Sequence, residues 1–353
     1  MTRRRSGILK EIDWLVLEFQ VCSFLDNKSL LSLATSCKAF YDLVMIQSDV
    51  IWSRALLSEA ASSRRWAESM EINDLTNAVS SEVADKKADY SGVAELYDRL
   101  VNKLFQGAKK ITTTEESDLD GELVADTNAH PHTFMYRLFH QYAFDTTGFM
   151  PGMNRQIRDK KYNSRELETC NSLIQFSNQN HTMDVLHRFL RGDWETCIAR
   201  KELLNGHRYY WCVHLTRYCP GEHSNAWTVL IGVDNLKNVP RSNSTSSMHY
   251  WLGSQNSAGF GYTVFSSDKY QGSTSYQASE DNKQGDIIGV EYSHINDNAE
   301  MTFYLMNGTK KVTYSYENNR KGGDGHFHPA VSAVGGVIVS IFPWDGDVAN
   351  LHK

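Results

Sequence analysis

Tyr209-Tyr210-Trp211-Cys212-Val213-His214-Leu215-Thr216 decides the fold of this chain. Tyr209, Trp211, Val213 and Leu215 alternate with Tyr210, Cys212, His214 and Thr216, the period of two that a β-strand with one side turned to a core requires. The period returns at Trp227-x-Val229-x-Ile231-x-Val233, Met301-x-Phe303-x-Leu305, Val312-x-Tyr314-x-Tyr316 and Val337-x-Val339-x-Ile341. Asn205-Gly206, Gly285-Asp286, Asn307-Gly308 and Gly322-Gly323 separate the runs with residues that tolerate tight turns. Many short strands beyond about residue 170, with no long helical pattern between them, predict an antiparallel β-sandwich. Trp211 shares a face with Tyr209 and Val213 and is expected in its core.

Toward the N-terminus the period lengthens. Leu30, Leu33, Ala34, Cys37, Phe40, Tyr41 and Val44 recur at three- and four-residue steps, one apolar stripe along a helix that Asp26 or Asn27 can cap. Leu17, Val21, Phe24 and Leu25 form a shorter stripe before it, and Ile51-Trp52 closes the pattern. Two such helices bury little surface alone, so a partner or a neighbouring helix is implied. Further on, Val93, Leu96, Tyr97, Leu100, Val101 and Leu104 predict an amphipathic helix, and Phe134, Leu138, Phe139 and Tyr142 a shorter one. Between these two lie Glu115, Glu116, Asp118, Asp120 and Glu122 in a stretch with the composition of a flexible acidic linker. The expected class is α+β in two domains. A small helical domain spans 10–57, a helical and linker region with its acidic stretch near 111–130 fills 58–165, and the sandwich occupies 166–348.

At 353 residues, 41% hydrophobic and 22% charged, the composition is that of a globular protein with room for about two cores. A formal charge of -6 offers nucleic-acid phosphates and anionic lipid no general attraction. The apolar stretch after Arg3-Arg4-Arg5 is broken by Lys10, Glu11 and Asp13, unlike a signal peptide, and no run is long enough to span a bilayer. Six cysteines without a CxxC pair read as reduced thiols, so a cytosolic or nuclear protein without nucleic-acid or membrane partners is expected.

Catalytic and metal chemistry find little support in the sequence. Cys212, His214, Cys219 and His223 are the right atom types for zinc, but their spacing fits no common structural site, and strand packing explains the first two. Gly322-Gly323-Asp324-Gly325 lacks the Lys-Ser/Thr of a phosphate loop. Cys37, mid-helix in an apolar stripe, is no activated nucleophile. Neither a cofactor nor a metal is expected, and the chain is expected to bind rather than catalyse.

Two resemblances sharpen this. The N-terminal segment resembles an F-box through Phe24-Leu25, Leu30-Leu31-x-Leu33, Ser36-Cys37-Lys38-x-Phe40, Leu43 and Ile51-Trp52, with Asp13-Trp14 in place of the family's Leu-Pro start. The C-terminal half resembles a SPRY domain, a concanavalin-like sandwich whose loops grip peptides. Its marks are Asn205-Gly206-x-x-Tyr209-Tyr210-Trp211, Ile231-Gly232-Val233, Tyr250-Trp251-Leu252-Gly253-Ser254 and Gly259-Phe260-Gly261-Tyr262. Gly285-Asp286-Ile287-Ile288-Gly289-Val290, Phe303-Tyr304-Leu305-Met306-Asn307-Gly308 and His328-Pro329-Ala330-Val331-Ser332-Ala333-Val334 complete the series.

The combination is similar to the F-box/SPRY substrate receptors. That resemblance implies a Skp-type adaptor and a cullin ubiquitin ligase as partners, with a client protein or peptide on the sandwich. It assigns Leu17, Val21, Leu25, Leu30, Leu33, Cys37, Phe40 and Trp52 to the adaptor side, some of them packing the F-box itself. It assigns Arg191, Trp194, Tyr250, Val334, Gly335 and Gly336 to the client side. Relatives usually carry an aromatic ring where Gly335 stands, so the expected client differs from the standard SPRY peptide. Alternation puts only one of Tyr250 and Trp251 inside, leaving open which of them faces a client. Two other readings remain: an interaction scaffold that never meets the adaptor, and a lectin-like or hydrolytic sandwich. The last needs convergent carboxylates, which Asp281, Asp286 and Asp297 do not supply by their spacing.

Overall fold

The computed structural model describes residues 49–78, 88–111, 131–146, 174–185, 194–204, 206–218, 227–234, 252, 260–265, 278–279, 282–295, 298–306, 308–315, 327–334 and 336–351. The side chains of some helix and strand residues, Trp194 and Val334 among them, lie outside that description. The chain divides into two compact units, residues 1–62 with 101–138, and residues 63–100 with 139–353.

Helix α1 (Asp49–Ala78) begins in the first unit, where Trp52, Ala55, Leu56, Glu59 and Ala60 are buried at the spacing of one helix face. Trp52 is 1% exposed, and its ring lies 4.3 Å from that of Tyr136 on α3 (Pro131–Tyr142). The sequence reading closes the helical domain at 57, but α1 runs straight through that boundary. Its buried stripe continues as Ala60, Ser63 and Ala67, small residues that a count of large apolar side chains passes over.

The second unit is built on two sheets. The larger is ordered β1 (Ile174–Ser177), β2 (Thr182–Val185), β12 (Ile338–Pro343), β4 (Arg208–Arg217), β8 (Ile287–Ile295), β9 (Asn298–Leu305) and β10 (Gly308–Ser315). The smaller is ordered β3 (Trp194–Ile198), β11 (His328–Val334), β5 (Trp227–Asp234), β6 (Phe260–Phe265) and β7 (Ala278–Ser279). Pairing is antiparallel apart from the two-residue β7, which joins β6 in parallel. One side of the large sheet carries Trp211, Val213, Leu215, Ile288, Val290, Met301, Phe303, Val339 and Ile341, each fully buried. These apolar positions and the buried Val229, Ile231, Val233, Val331 and Ala333 of the small sheet form the sandwich core.

The other side of β4 and β12 is buried as well, under helices. Phe342 lies 5.6 Å from Tyr97 of α2 (Tyr90–Ile111) and 5.0 Å from His181, measured between ring centroids, while Tyr97 lies 5.0 Å from Phe139. Ile338 joins Ala67, Ala88, Tyr90 and Ala94 in one cluster, with Trp66 and Met70 packed on it. Residues 88–100 and 139–146, read from sequence as part of an intervening region, therefore belong to the sandwich unit. A sheet side bearing Phe342, Cys212 and Ile338 needs cover, and the amphipathic face of α2 supplies it. The acidic stretch near 111–130 and the helix over 26–44 lie outside the described residues, apart from the end of α2 at Ile111.

Candidate functional site

Strand ends make the site. β11 and β3 run antiparallel in a register that sets Val334 directly opposite Trp194. Two residues on, Gly336 turns the chain into β12 with φ of +91°, a left-handed conformation that a side chain would strain. Its N–H donates to Val185 O at 2.7 Å, and Val185 N–H donates to Val337 O at 3.0 Å, so the end of β2 is stitched to the turn. Arg217, the last residue of β4, donates from Nε to Gly336 O at 2.7 Å and reaches Asp184 Oδ1 at 3.4 Å. One guanidinium thus ties β2, β4 and the turn together, which its planar fork allows and a lysine would not.

Leu252 is anchored nearby. It is fully buried, and its N–H donates to Ser332 Oγ at 3.0 Å; Ser332 Oγ lies 2.6 Å from Thr196 Oγ1 across the β11–β3 pair. Of the expected client residues, Trp194, Val334 and Gly336 converge at one end of the sandwich. Arg191, Tyr250 and Gly335 lie outside the described residues.

Of the expected adaptor residues, only Trp52 is described, and it is among those that pack their own unit: its ring is buried against Tyr136. The other seven lie outside the described residues. Cys212 and His214 are buried in β4, and Cys219 and His223 lie outside the description. Burial pushes the Cys212 thiol up, which keeps it protonated and unreactive. Among the described residues, no group of three or more His, Cys, Asp or Glu could hold a metal ion, and no helix is long and apolar enough to cross a membrane.

Two features escaped the sequence reading. Arg217 gave no signal, because a charged residue closing a strand is ordinary. The other is a polar chain behind β4. His214 Nε2 lies 3.3 Å from Asp89 Oδ2, and His214 Nδ1 lies 3.1 Å from Thr216 Oγ1. Thr216 Oγ1 is 3.1 Å from Ser340 Oγ, which is 2.8 Å from Thr182 Oγ1. All but Asp89 are buried. The hydrogen bond from His214 holds the Asp89 carboxyl below the usual carboxylate range, outweighing the opposite push of partial burial.

No family model matches the chain, and no curated protein matches it. Among solved structures, the metal-free form of lectin I-B4 from Griffonia simplicifolia is similar at 11% identity, over 49% of this chain and 89% of the lectin, with a TM-score of 0.30. A likeness at that level carries no argument about what this chain does.

Proposed function

We propose that the chain is a substrate receptor of a cullin-type ubiquitin ligase, with a SPRY-type, concanavalin-like sandwich holding the client and the F-box-like segment holding a Skp-type adaptor. The observation that carries this reading is the meeting of Trp194, Val334 and Gly336 at one end of the sandwich, beside the anchored Leu252. Strand ends held in register, with an arginine bridging β2, β4 and the turn at Gly336, are the kind of fixed frame that peptide capture requires. The chain contributes no bond-making step. Tethering a client beside the ligase raises its effective concentration to roughly millimolar, and transfer follows from proximity. Such a receptor works in the cytosol or nucleus, where the ligase operates.

Purification of the full chain from cells tests the adaptor side. The wild type is expected to bring down a Skp-type adaptor and a cullin, and Leu33→Asp to lower both at least about ten-fold, since a charge in an apolar helix contact costs more than about 1.4 kcal/mol. Thermal unfolding of the sandwich stays unchanged. A wild type that retains no adaptor removes the ligase reading. What then stands is a scaffold that uses the sandwich edge alone, a reading that Asp13-Trp14 in place of the Leu-Pro start favours.

A further inference from the structure

Asp89 is the N-cap of α2. Its Oδ1 accepts from Gly92 N–H at 3.0 Å and lies 3.5 Å from Ser91 Oγ, while its own N–H donates to Thr216 O at 2.7 Å. The carboxylate fills the space beside Gly92 so fully that a Cβ there would sit 2.2 Å from Oδ2. Gly285, in the turn before β8 that also holds Lys283 and Asp286, stands close on another side, where a Cβ would lie 3.2 Å from the same oxygen. One residue thus caps the helix, bonds the backbone of β4 and meets the imidazole of His214.

The direction of the hydrogen bonds follows from what each group can do. An ionised carboxylate only accepts, so His214 Nε2 must donate to Asp89. With the neutral imidazole, Nδ1 then accepts and the Thr216 hydroxyl donates to it. Thr216 Oγ1 is left to accept from Ser340, and Ser340 Oγ to accept from Thr182. With the imidazole neutral, every proton in the chain points toward Asp89, and bonds aligned in this way strengthen one another. The hydroxyls sit on β4, β12 and β2, the same three strands whose ends hold the turn at Gly336. Arg217, which grips that turn, directly follows Thr216.

We propose that Asp89 and His214 are positioning residues for the binding edge: the helix cap orders the hydroxyl chain, and the chain sets the strand ends that carry the turn at Gly336. Release of the N-terminus of α2 loosens the edge although no residue of α2 forms it. The value of that edge to a client rests on the proposed function; the positioning itself does not.

Amide hydrogen exchange on the full chain separates the two, because it needs no client. Asp89→Asn removes the charge, Gly92→Ala displaces the carboxylate while leaving every ionisable group in place, and Thr216→Val removes one hydroxyl at nearly constant shape. Each is expected to speed exchange at Val185 and Gly336 roughly ten-fold, as loss of one ordering hydrogen bond would, with β9 at its wild-type rate. Thr216→Ser, which keeps the hydroxyl, is expected to leave the edge as in the wild type. Wild-type exchange at Val185 and Gly336 in folded Asp89→Asn or Gly92→Ala overturns the proposal. So does an equal acceleration in β9, which would mark a general loss of stability. Should Asp89→Asn fail to fold, Gly92→Ala and the Thr216 pair carry the decision.

Discussion

Phe342→Ala is expected to destabilise the sandwich unit by about 3–5 kcal/mol, the range for emptying a large aromatic site in a packed core. Phe342 is fully buried near the end of β12, where the His181 ring stacks on it at 22° and the Tyr97 ring meets it edge-on at 83°. His181 Nδ1–H donates to Ile341 O at 2.8 Å, and Ile341 N–H donates to His181 O at 2.9 Å. The imidazole is therefore held by its neighbours and is a poor candidate to swing into the vacated volume. A cavity is left, and its cost adds to the lost burial. Denaturant melts with unchanged slope give the loss directly. Met306→Ala at the exposed tip of the β9–β10 hairpin, 59% accessible, is expected to move stability by less than about 0.5 kcal/mol. A Phe342 loss as small as that of Met306 would mean that α2 does not press on this side of the sheet.

The contrast between Phe342 and Trp211 shows what the residue pattern carried and what it hid. Trp211 sits in a run of alternating apolar and polar residues, and one side of that alternation does face the sandwich core. The alternation also implied that Cys212, His214 and Thr216 face a less apolar place, and they do, though not water. Residues 90–100 of α2, a helix with a clear apolar period, lie over that side of the sheet. Nothing in either segment names the other as its partner, because a strand's second face reveals its neighbour only through complementary shape. The polar chain was hidden for the same reason: Asp89 stands more than a hundred residues before His214, and Thr182 and Ser340 are separated as widely. Hydroxyl residues scattered through strands read as tolerated polar positions until the register lines them up. β1 and β2 went unread because four-residue strands are too short for a period to emerge.

The pairing of the strand ends at one end of the sandwich was legible in part. The block ending at Val334 and the position of Trp194 were singled out separately, and their pairing across β3 and β11 is a matter of register. Arg217 meets the turn at Gly336 only through the fold. Trp52 was read as the close of a docking stripe. Its neighbour Tyr136 lies more than eighty residues on, and no helical period in the chain links the two.

Acid is expected to weaken the sandwich unit through His181. The ring is 1% exposed among Phe342, Tyr97 and Phe139, and burial lowers its pKa to about 3. The bond at Ile341 O opposes that shift, while His140 and Arg200 add like-charge repulsion in the same direction as burial. The sign follows from which state takes up the proton. Below about pH 6.5 the unfolded chain protonates this histidine and the folded chain does not, so proton binding pulls the equilibrium toward unfolding. Stability therefore falls by up to about 1.4 kcal/mol for each pH unit between about 6.5 and about 3, and the fall ends once the folded form protonates too. Asp89 acts elsewhere on the scale: its carboxyl is held low, so the stability it contributes is intact above its ordinary value of 3.8 and disappears as pH drops through its folded value. His181→Gln removes the titrating ring and keeps a group able to hydrogen-bond Ile341 O. Its unfolding free energy at neutral pH is expected to be lower than that of the wild type by the lost aromatic packing, about 1–3 kcal/mol. Its decline between pH 6.5 and 4 should be shallower by about one proton's worth of slope. Parallel pH profiles for the two proteins would show that His181 is charged in the fold, and would overturn its place among the three rings.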